Sequence, residues 1–85
     1  MNWQVVWTRS ALKDRRRLDA SIERRVVETA DRFAATGQGD IKRLSGRDHE
    51  WRLRVGDWRV IFTLEPATRR LLVLRVRNRS HAYDE

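Results

Sequence analysis

Two alternating segments near the C-terminus, residues 51–55 and 58–64, constrain the fold more than any other feature of the sequence. Both segments are rich in β-branched, aromatic and alternating apolar residues, which is typical of half-buried strands, and only Gly56-Asp57 separates them. Glycine supplies the positive φ that tight hairpin turns require, so the pair predicts a type I′ or II′ turn. We therefore expect a β-hairpin.

The two-residue turn fixes which side chains of this hairpin face each other. Val55 pairs with Trp58, and Arg54 then lies opposite Arg59. One face of the hairpin is wholly apolar and is expected to face the core, while Arg52 joins the two opposed arginines on the other face. Directly opposed like charges destabilise a sheet by up to about 1 kcal/mol. This arrangement therefore calls for a bound anion or for enough water to tolerate the charges.

Residues 71–77 form the next predicted strand. The alternation predicts that Leu72, Leu74 and Val76 face the core. On the arginine side we expect Leu71, Val73, Arg75 and Arg77.

A turn over residues 66–70 places Arg77 opposite Arg59. Arg54, Arg59 and Arg77 then cross three neighbouring strands over about 10 Å, at about 4.8 Å per strand. This distance is the size of a nucleotide step. A solvated polar face is the alternative interpretation of the same residues.

The remaining segments complete an α+β pattern in the order β-α-α-β-β-β. Residues 2–8 predict a strand, residues 9–18 a short helix, and a second helix begins after Asp19 or Ser21 and ends at Gly37. Residues 37–50 are interpreted as a loop. We expect a single domain over residues 1–85, with a mainly antiparallel four-stranded sheet packed on two helices and the four tryptophans in the core.

Composition narrows the class of protein. The chain contains no cysteine, and its two histidines, His49 and His81, lie far apart, so we expect no disulfide, no metal and no cofactor. No segment has the length and hydrophobicity of a membrane span, and the N-terminus does not follow the pattern of a signal peptide. We expect a cytoplasmic protein.

The charge balance indicates an anionic partner. Nineteen basic residues against twelve acidic ones give a net charge of +7, and seventeen of the basic residues are arginine. The planar guanidinium offers a fork of donors that matches a phosphate group. A coding bias toward arginine is the alternative explanation for the choice of arginine over lysine.

The C-terminal segment adds two further candidates. Tyr83 can stack on a nucleobase, and His81 is the side chain in this segment that titrates near neutral pH. The alternatives are a packing or disordered tyrosine and an ordinary surface histidine.

The segments 51–62 and 73–83, preceded by two helices and by Lys42-Arg43-Leu44-Ser45-Gly46, resemble a RelE-type toxin of the RelE/ParE toxin–antitoxin superfamily. The resemblance covers nearly the whole chain. It implies a ribosome-dependent endonuclease that cleaves messenger RNA by 2′-hydroxyl attack without a metal ion. It also implies a cognate antitoxin as partner.

The family's catalytic positions fall here on Arg52, Arg54, Arg59, Arg77 and Tyr83. Predicted RNA-binding residues beside them are Arg75, Arg79 and His81. The hairpin pair is often lysine in the family, and arginine is a poor general base because it stays protonated. His81 is therefore an alternative base.

Two other functions remain open at this point. A ParE-like protein would inhibit DNA gyrase through protein contacts without nuclease activity, and the hairpin alone does not separate this branch from the nucleases. A nucleic-acid-binding domain without toxicity would bind in a strongly salt-dependent manner.

Overall fold

The computed structural model of the chain describes residues 2–46 and 49–81, with the backbone alone for His81. Within these residues a strand is followed by two helices, four further strands and a short 3₁₀ helix. The elements are β1 (Gln4–Trp7), α1 (Arg9–Arg16), α2 (Ala20–Thr36), β2 (Ile41–Arg43), β3 (Trp51–Val55), β4 (Trp58–Glu65), β5 (Arg70–Asn78) and the 3₁₀ helix Arg79–His81.

The strands form one mixed sheet in the order β1-β5-β4-β3-β2. β1 pairs with β5 in parallel and the other neighbours are antiparallel, which confirms the α+β class and the mainly antiparallel sheet. The expected strand number was wrong, because the described sheet has five strands rather than four. The additional strand β2 lies in the segment interpreted as a loop, and its three exposed residues at the sheet edge carry no alternating apolar signal.

Local capping interactions mark the start of α1 and the end of α2. The Thr8 hydroxyl accepts a hydrogen bond from the Ala11 N–H at 3.2 Å and caps α1. α1 ends at Arg16, two residues earlier than Leu18 where we expected its end. α2 ends at Thr36, and Gly37 caps its C-terminus as predicted, with a φ of 79° that suits a glycine. Within the part of the chain described, neither helix has the length and hydrophobicity needed to cross a membrane.

The core lies between one face of the sheet and the two helices. α2 contributes Val26, Ala30, Phe33 and Ala34, all buried. The sheet contributes the apolar face predicted for the hairpin, with Leu53, Val60 and Phe62 each almost fully buried. Trp3, Trp7, Trp51 and Trp58 are partly buried and pack against this core, which confirms their expected place.

The hairpin has the predicted register. Val55 pairs with Trp58, and Arg54 pairs with Arg59. Gly56 takes a φ of 60° while Asp57 does not take a positive φ, which fits a type II′ turn.

The last strand differs from expectation along its first half. Arg59 pairs with Arg77 as predicted, but the expected turn over residues 66–70 was wrong, because Arg70 already belongs to β5 and pairs with Glu65. The register shifts between Ile61 and Phe62, so that Phe62 pairs with Val73 and the shift restores the pairing of Arg59 with Arg77. Leu74 is left without a partner on β4, as in a β-bulge.

This bulge overturns the expected core face of β5. Leu71 and Val73 are buried in the core, whereas Leu72 and Leu74 are only partly buried. The bulge lies where β1 ends, and the Thr8 hydroxyl donates to the Leu74 carbonyl oxygen there at 3.1 Å. A contact between residues 66 positions apart thus changes an alternation that the sequence of β5 alone does not reveal.

Candidate nucleic-acid interface

Arginines from three neighbouring strands share the sheet face opposite the core. Arg54 on β3 pairs with Arg59 on β4, and Arg59 pairs with Arg77 on β5. We call these three residues the arginine row. Because strand partners project to the same side of a sheet, the row places three arginine side chains next to one another on three strands, about 10 Å across at the backbone.

The hairpin turn holds the central member of the row. The Arg59 Nη1 group donates to the carbonyl oxygens of Gly56 and Trp58 at 3.0 and 3.1 Å. Arg59 is also largely buried, with 8% of its surface exposed. Both features restrict the guanidinium to one position before any ligand arrives.

The outer members of the row have unused donors. Arg54 is exposed, and its side chain makes no hydrogen bond or ion pair with any described residue. The Nε atom of Arg77 is buried without a hydrogen-bond partner in the described part of the chain. A buried donor without a partner costs free energy, so a ligand that accepts from it is favoured.

Arg52 lies on β3, two residues before Arg54 and on the same face of the sheet, and a carboxylate binds its side chain. Its Nη1 group donates to both the carbonyl oxygen and the Oδ1 atom of Asp40, each at 2.9 Å. Arg52 is 7% exposed. The hydrogen bond from Arg52 holds the pKa of Asp40 below its ordinary value. This pair ties the segment between α2 and β2 to the sheet.

Arg75 is held in a similar way by α1. Its Nε and Nη2 groups donate to the two carboxylate oxygens of Asp14 at 2.9 and 3.1 Å. The N–H of Val76 also donates to Asp14, at 2.8 Å. Burial alone would raise the pKa of Asp14, but the hydrogen bonds from Arg75 and Val76 outweigh it and lower that pKa.

Asp14 therefore completes the sheet edge that β1 leaves open. β1 pairs with β5 only as far as Val73, and α1 follows β5 beyond that point. The carboxylate takes the place of a strand carbonyl for the Val76 N–H. We call Arg52 and Arg75 the anchored arginines, because each binds a carboxylate from another element.

The other predicted site residues are placed less closely. Arg79 is exposed in the 3₁₀ helix, 3.7 Å from Asp57 in an ion pair. Tyr83 and the side chain of His81 lie outside the described residues.

Asp14 and Asp40 were not among the predicted residues. They lie 61 and 12 positions from the arginines that they bind, and neither belongs to a local motif.

The chain matches the family described as ParE toxin of type II toxin–antitoxin systems over residues 5–83. No curated protein sequence matches it significantly.

Solved structures share its fold. The archaeal RelE in its complex with RelB from Pyrococcus horikoshii is 24% identical with a TM-score of 0.78, covering 96% of this chain and 100% of that one. A RelBE toxin–antitoxin complex from Mycobacterium tuberculosis is 24% identical with a TM-score of 0.82, covering 94% of each chain. The isolated Escherichia coli RelE toxin is 11% identical with a TM-score of 0.74, covering 98% of this chain and 86% of that one.

Proposed function

The chain belongs to the ParE toxin family of the RelE/ParE superfamily of type II toxin–antitoxin systems, and within this superfamily we propose that it is a ribosome-dependent messenger-RNA endonuclease. The observation that carries the proposal is the arginine row, with Arg54, Arg59 and Arg77 in register on three strands. The row presents arginines from three adjacent strands, and guanidinium groups bind phosphate oxygens through charge-assisted, often bidentate hydrogen bonds.

The proposed reaction is transfer of the scissile phosphate within the RNA. The 2′-oxygen attacks the adjacent phosphorus, the bond to the 5′-oxygen breaks, and the products are a 2′,3′-cyclic phosphate and a 5′-hydroxyl end. A base takes the proton of the 2′-hydroxyl, and the leaving 5′-oxygen gains a proton. The atoms and charges of this reaction balance without a metal ion.

The arginine row would stabilise the charge that develops on the phosphate. Arg54 and Arg59 are assigned to the non-bridging oxygens, and Arg77 to the leaving oxygen. A well-placed donor of this kind contributes about 2.7 to 4 kcal/mol to transition-state stabilisation. Arg59 is suited to the central role because the carbonyls of Gly56 and Trp58 already fix its position.

Proton transfer requires a group other than arginine, because a guanidinium stays protonated. We assign the stacking of the displaced nucleotide to Tyr83, which can also assist proton removal, and His81 is the alternative base. If His81→Ala leaves both the cleavage rate and its pH profile unchanged, His81 is not the base.

Arg52 and Arg75 have a positioning role in this proposal. Their bonds to Asp40 and Asp14 commit them to the protein, so we expect them to hold the strands that carry the row rather than to bind the reacting phosphate. Exposed Arg79 is assigned to flanking RNA contacts.

An antitoxin is the expected protein partner. Solved structures with this fold include RelE–RelB complexes from Pyrococcus horikoshii and Methanococcus jannaschii. The net charge of +7 favours an acidic partner, and the same charge favours docking on ribosomal RNA. We propose that the antitoxin inhibits by covering or distorting the arginine row.

The test is to map transcript 5′ ends after expression of the toxin, with Arg59→Ala as the inactive variant. We expect new ends at codon positions within translated frames, and we expect these to vanish in Arg59→Ala. Arg70→Ala, which removes an exposed arginine from the same sheet outside the row, is the matched control and should cut like the parent. Absence of such ends with the parent protein contradicts the proposal.

Inhibition of DNA gyrase is the second candidate, and the match to the ParE toxin family specifically favours it. A supercoiling assay with purified gyrase separates the two functions from cleavage on purified ribosomes. Gyrase inhibition without RNA cleavage would replace the nuclease proposal.

A further inference from the structure

A groove lies beside the arginine row, between the C-terminal end of α1 and the end of β5. Its volume is about 230 Å³, and its apolar walls are formed by Leu18 and Trp58. Sites that enclose a whole small-molecule ligand usually have volumes of about 300–1,000 Å³. The groove is therefore suited to one part of a larger ligand.

Arg77 makes the groove continuous with the arginine row, because it belongs to the row and also lines the groove. A phosphate bound along the row would lie next to the groove. Trp58 packs against the core on the other face of the sheet and also lines the groove, where it offers an aromatic surface of the kind on which bases stack. A nucleotide attached to that phosphate would reach Trp58 around the edge of β5, which β1 leaves open beyond Val73.

The polar side chains of the groove present hydrogen-bond donors. Arg17 makes no side-chain hydrogen bond or ion pair with any described residue. The Asn78 Oδ1 atom accepts from the N–H and hydroxyl of Ser80 at 3.2 and 3.0 Å, which leaves its NH₂ group as the donor toward a ligand. The two carboxylate oxygens of Asp14 are already engaged by Arg75 and Val76.

The lining of the groove offers two kinds of contact. Three arginines, Arg17, Arg75 and Arg77, outnumber the single carboxylate of Asp14 and attract an anion, while Leu18 and Trp58 favour a flat, uncharged ring. A nucleotide carries both kinds of group, a phosphate and a base. Donors around a flat ring select a base whose edge carries carbonyl acceptors.

We propose that this groove binds one nucleobase of the RNA and prefers a keto base, guanine or uracil, over adenine or cytosine. Guanine presents two acceptors on one edge and uracil presents a carbonyl, whereas adenine and cytosine place an amino donor there. The inference rests on the proposed function for its substrate, an RNA strand held by the arginine row. It makes the groove a specificity-determining site beside the reacting phosphate.

The groove can be tested on the full chain without ribosomes, by NMR titration with the four nucleoside 5′-monophosphates. We expect GMP and UMP to shift the Trp58 indole and Asn78 amide signals, the former assigned with Trp58→Phe. Binding of these two should be about tenfold tighter than that of AMP and CMP. Arg17→Gln should weaken it severalfold, and Arg16→Gln, the same charge change on the neighbouring exposed residue, should not.

Three results of the titration with the parent protein would overturn the proposal. They are an absence of shifts at Trp58 and Asn78, the same shifts with inorganic phosphate alone, and equal affinity for all four nucleotides. Equal weakening by Arg16→Gln and Arg17→Gln would likewise show that only overall charge matters.

The titration also separates this inference from the proposed function. Keto-selective binding by a protein that cuts no RNA would support the groove and contradict the nuclease. Cleavage on ribosomes with an unchanged distribution of cut codons in Arg17→Gln would support the nuclease and contradict the groove.

Discussion

The anchored arginines and the arginine row lie on one face of one sheet, yet their surroundings differ. Arg52 and Arg75 each meet a carboxylate oxygen at 2.9 Å. Arg54 and Arg77 meet no carboxylate at hydrogen-bond distance within the described residues. Residue type and strand position therefore do not decide the role of an arginine on this face, because a partner from a distant element decides it.

The two carboxylates also explain how the sheet tolerates so many like charges. Asp40 approaches from the segment before β2, and Asp14 approaches from α1. Each neutralises the arginine nearest to it, so the positive charge on this face is concentrated along the row. A substrate phosphate can then be attracted to one line rather than to the whole face.

The comparison predicts its largest effect for the exposed end of the row. Arg54→Ala should lower the rate of messenger-RNA cleavage by about 10²- to 10³-fold, the usual loss for one transition-state donor. Its unfolding free energy should change by less than about 0.5 kcal/mol, because the side chain is exposed and makes no bond within the described chain. Single-turnover cleavage and urea denaturation measure the two quantities. A small activity loss, or an equal loss in Arg70→Ala, would remove the distinction between the two sets.

Removing an anchor should act on stability. Asp14→Ala leaves the Val76 N–H and the Arg75 guanidinium without their acceptor, and we expect a loss of about 1–3 kcal/mol in unfolding free energy. Asp31→Ala, an exposed carboxylate on α2, is the matched control and should cost far less. Urea denaturation measures the unfolding free energy of both variants. Similar decreases in Asp14→Ala and Asp31→Ala would contradict the anchoring role of Asp14.

The anchor should also be sensitive to acid. The pKa of Asp14 is lower in the folded chain than in the unfolded chain, so the unfolded state binds more protons and stability falls as pH decreases. The stability advantage of the parent over Asp14→Asn should be constant from about pH 7 to pH 5 and shrink below about pH 4. Denaturation midpoints at several pH values measure it, and a difference that persists unchanged at pH 3 or below would argue against the carboxylate bond.

Asp40→Ala should have the smallest effect on stability. The Asp40 side chain is 57% exposed, and its backbone carbonyl still accepts from Arg52 after the substitution. We expect a decrease in unfolding free energy smaller than that of Asp14→Ala, measured under the same conditions. A larger decrease would mean that the segment before β2, rather than α1, is the main anchor of this face.

Local patterns were sufficient to predict the hairpin, but only part of the arginine row. The Gly56-Asp57 turn sets the pairing of Arg54 with Arg59 by residue spacing alone. The pairing of Arg59 with Arg77 also depends on the bulge, because the turn between Glu65 and Arg70 would by itself place Arg59 opposite Val76. The catalytic roles assigned to these residues stay predictions.

Tertiary contacts determined what the patterns missed. The bulge at Leu74 depends on Thr8, and the anchors depend on carboxylates far away in the sequence. β2 has only three residues at an exposed edge, too few for a periodic signal. In each case the deciding partner belongs to another element.

A structure of the toxin on a ribosome, with messenger RNA carrying a 2′-deoxy sugar at the cleavage position, would show which arginines hold the scissile phosphate. The missing 2′-hydroxyl prevents the reaction and retains the substrate. We expect the scissile phosphate to lie within hydrogen-bond distance of the Arg54 and Arg59 guanidinium groups, with Arg52 still bound to Asp40. A phosphate held elsewhere, or one bound by Arg52 after it has left Asp40, would show that the arginine row does not hold the reacting phosphate.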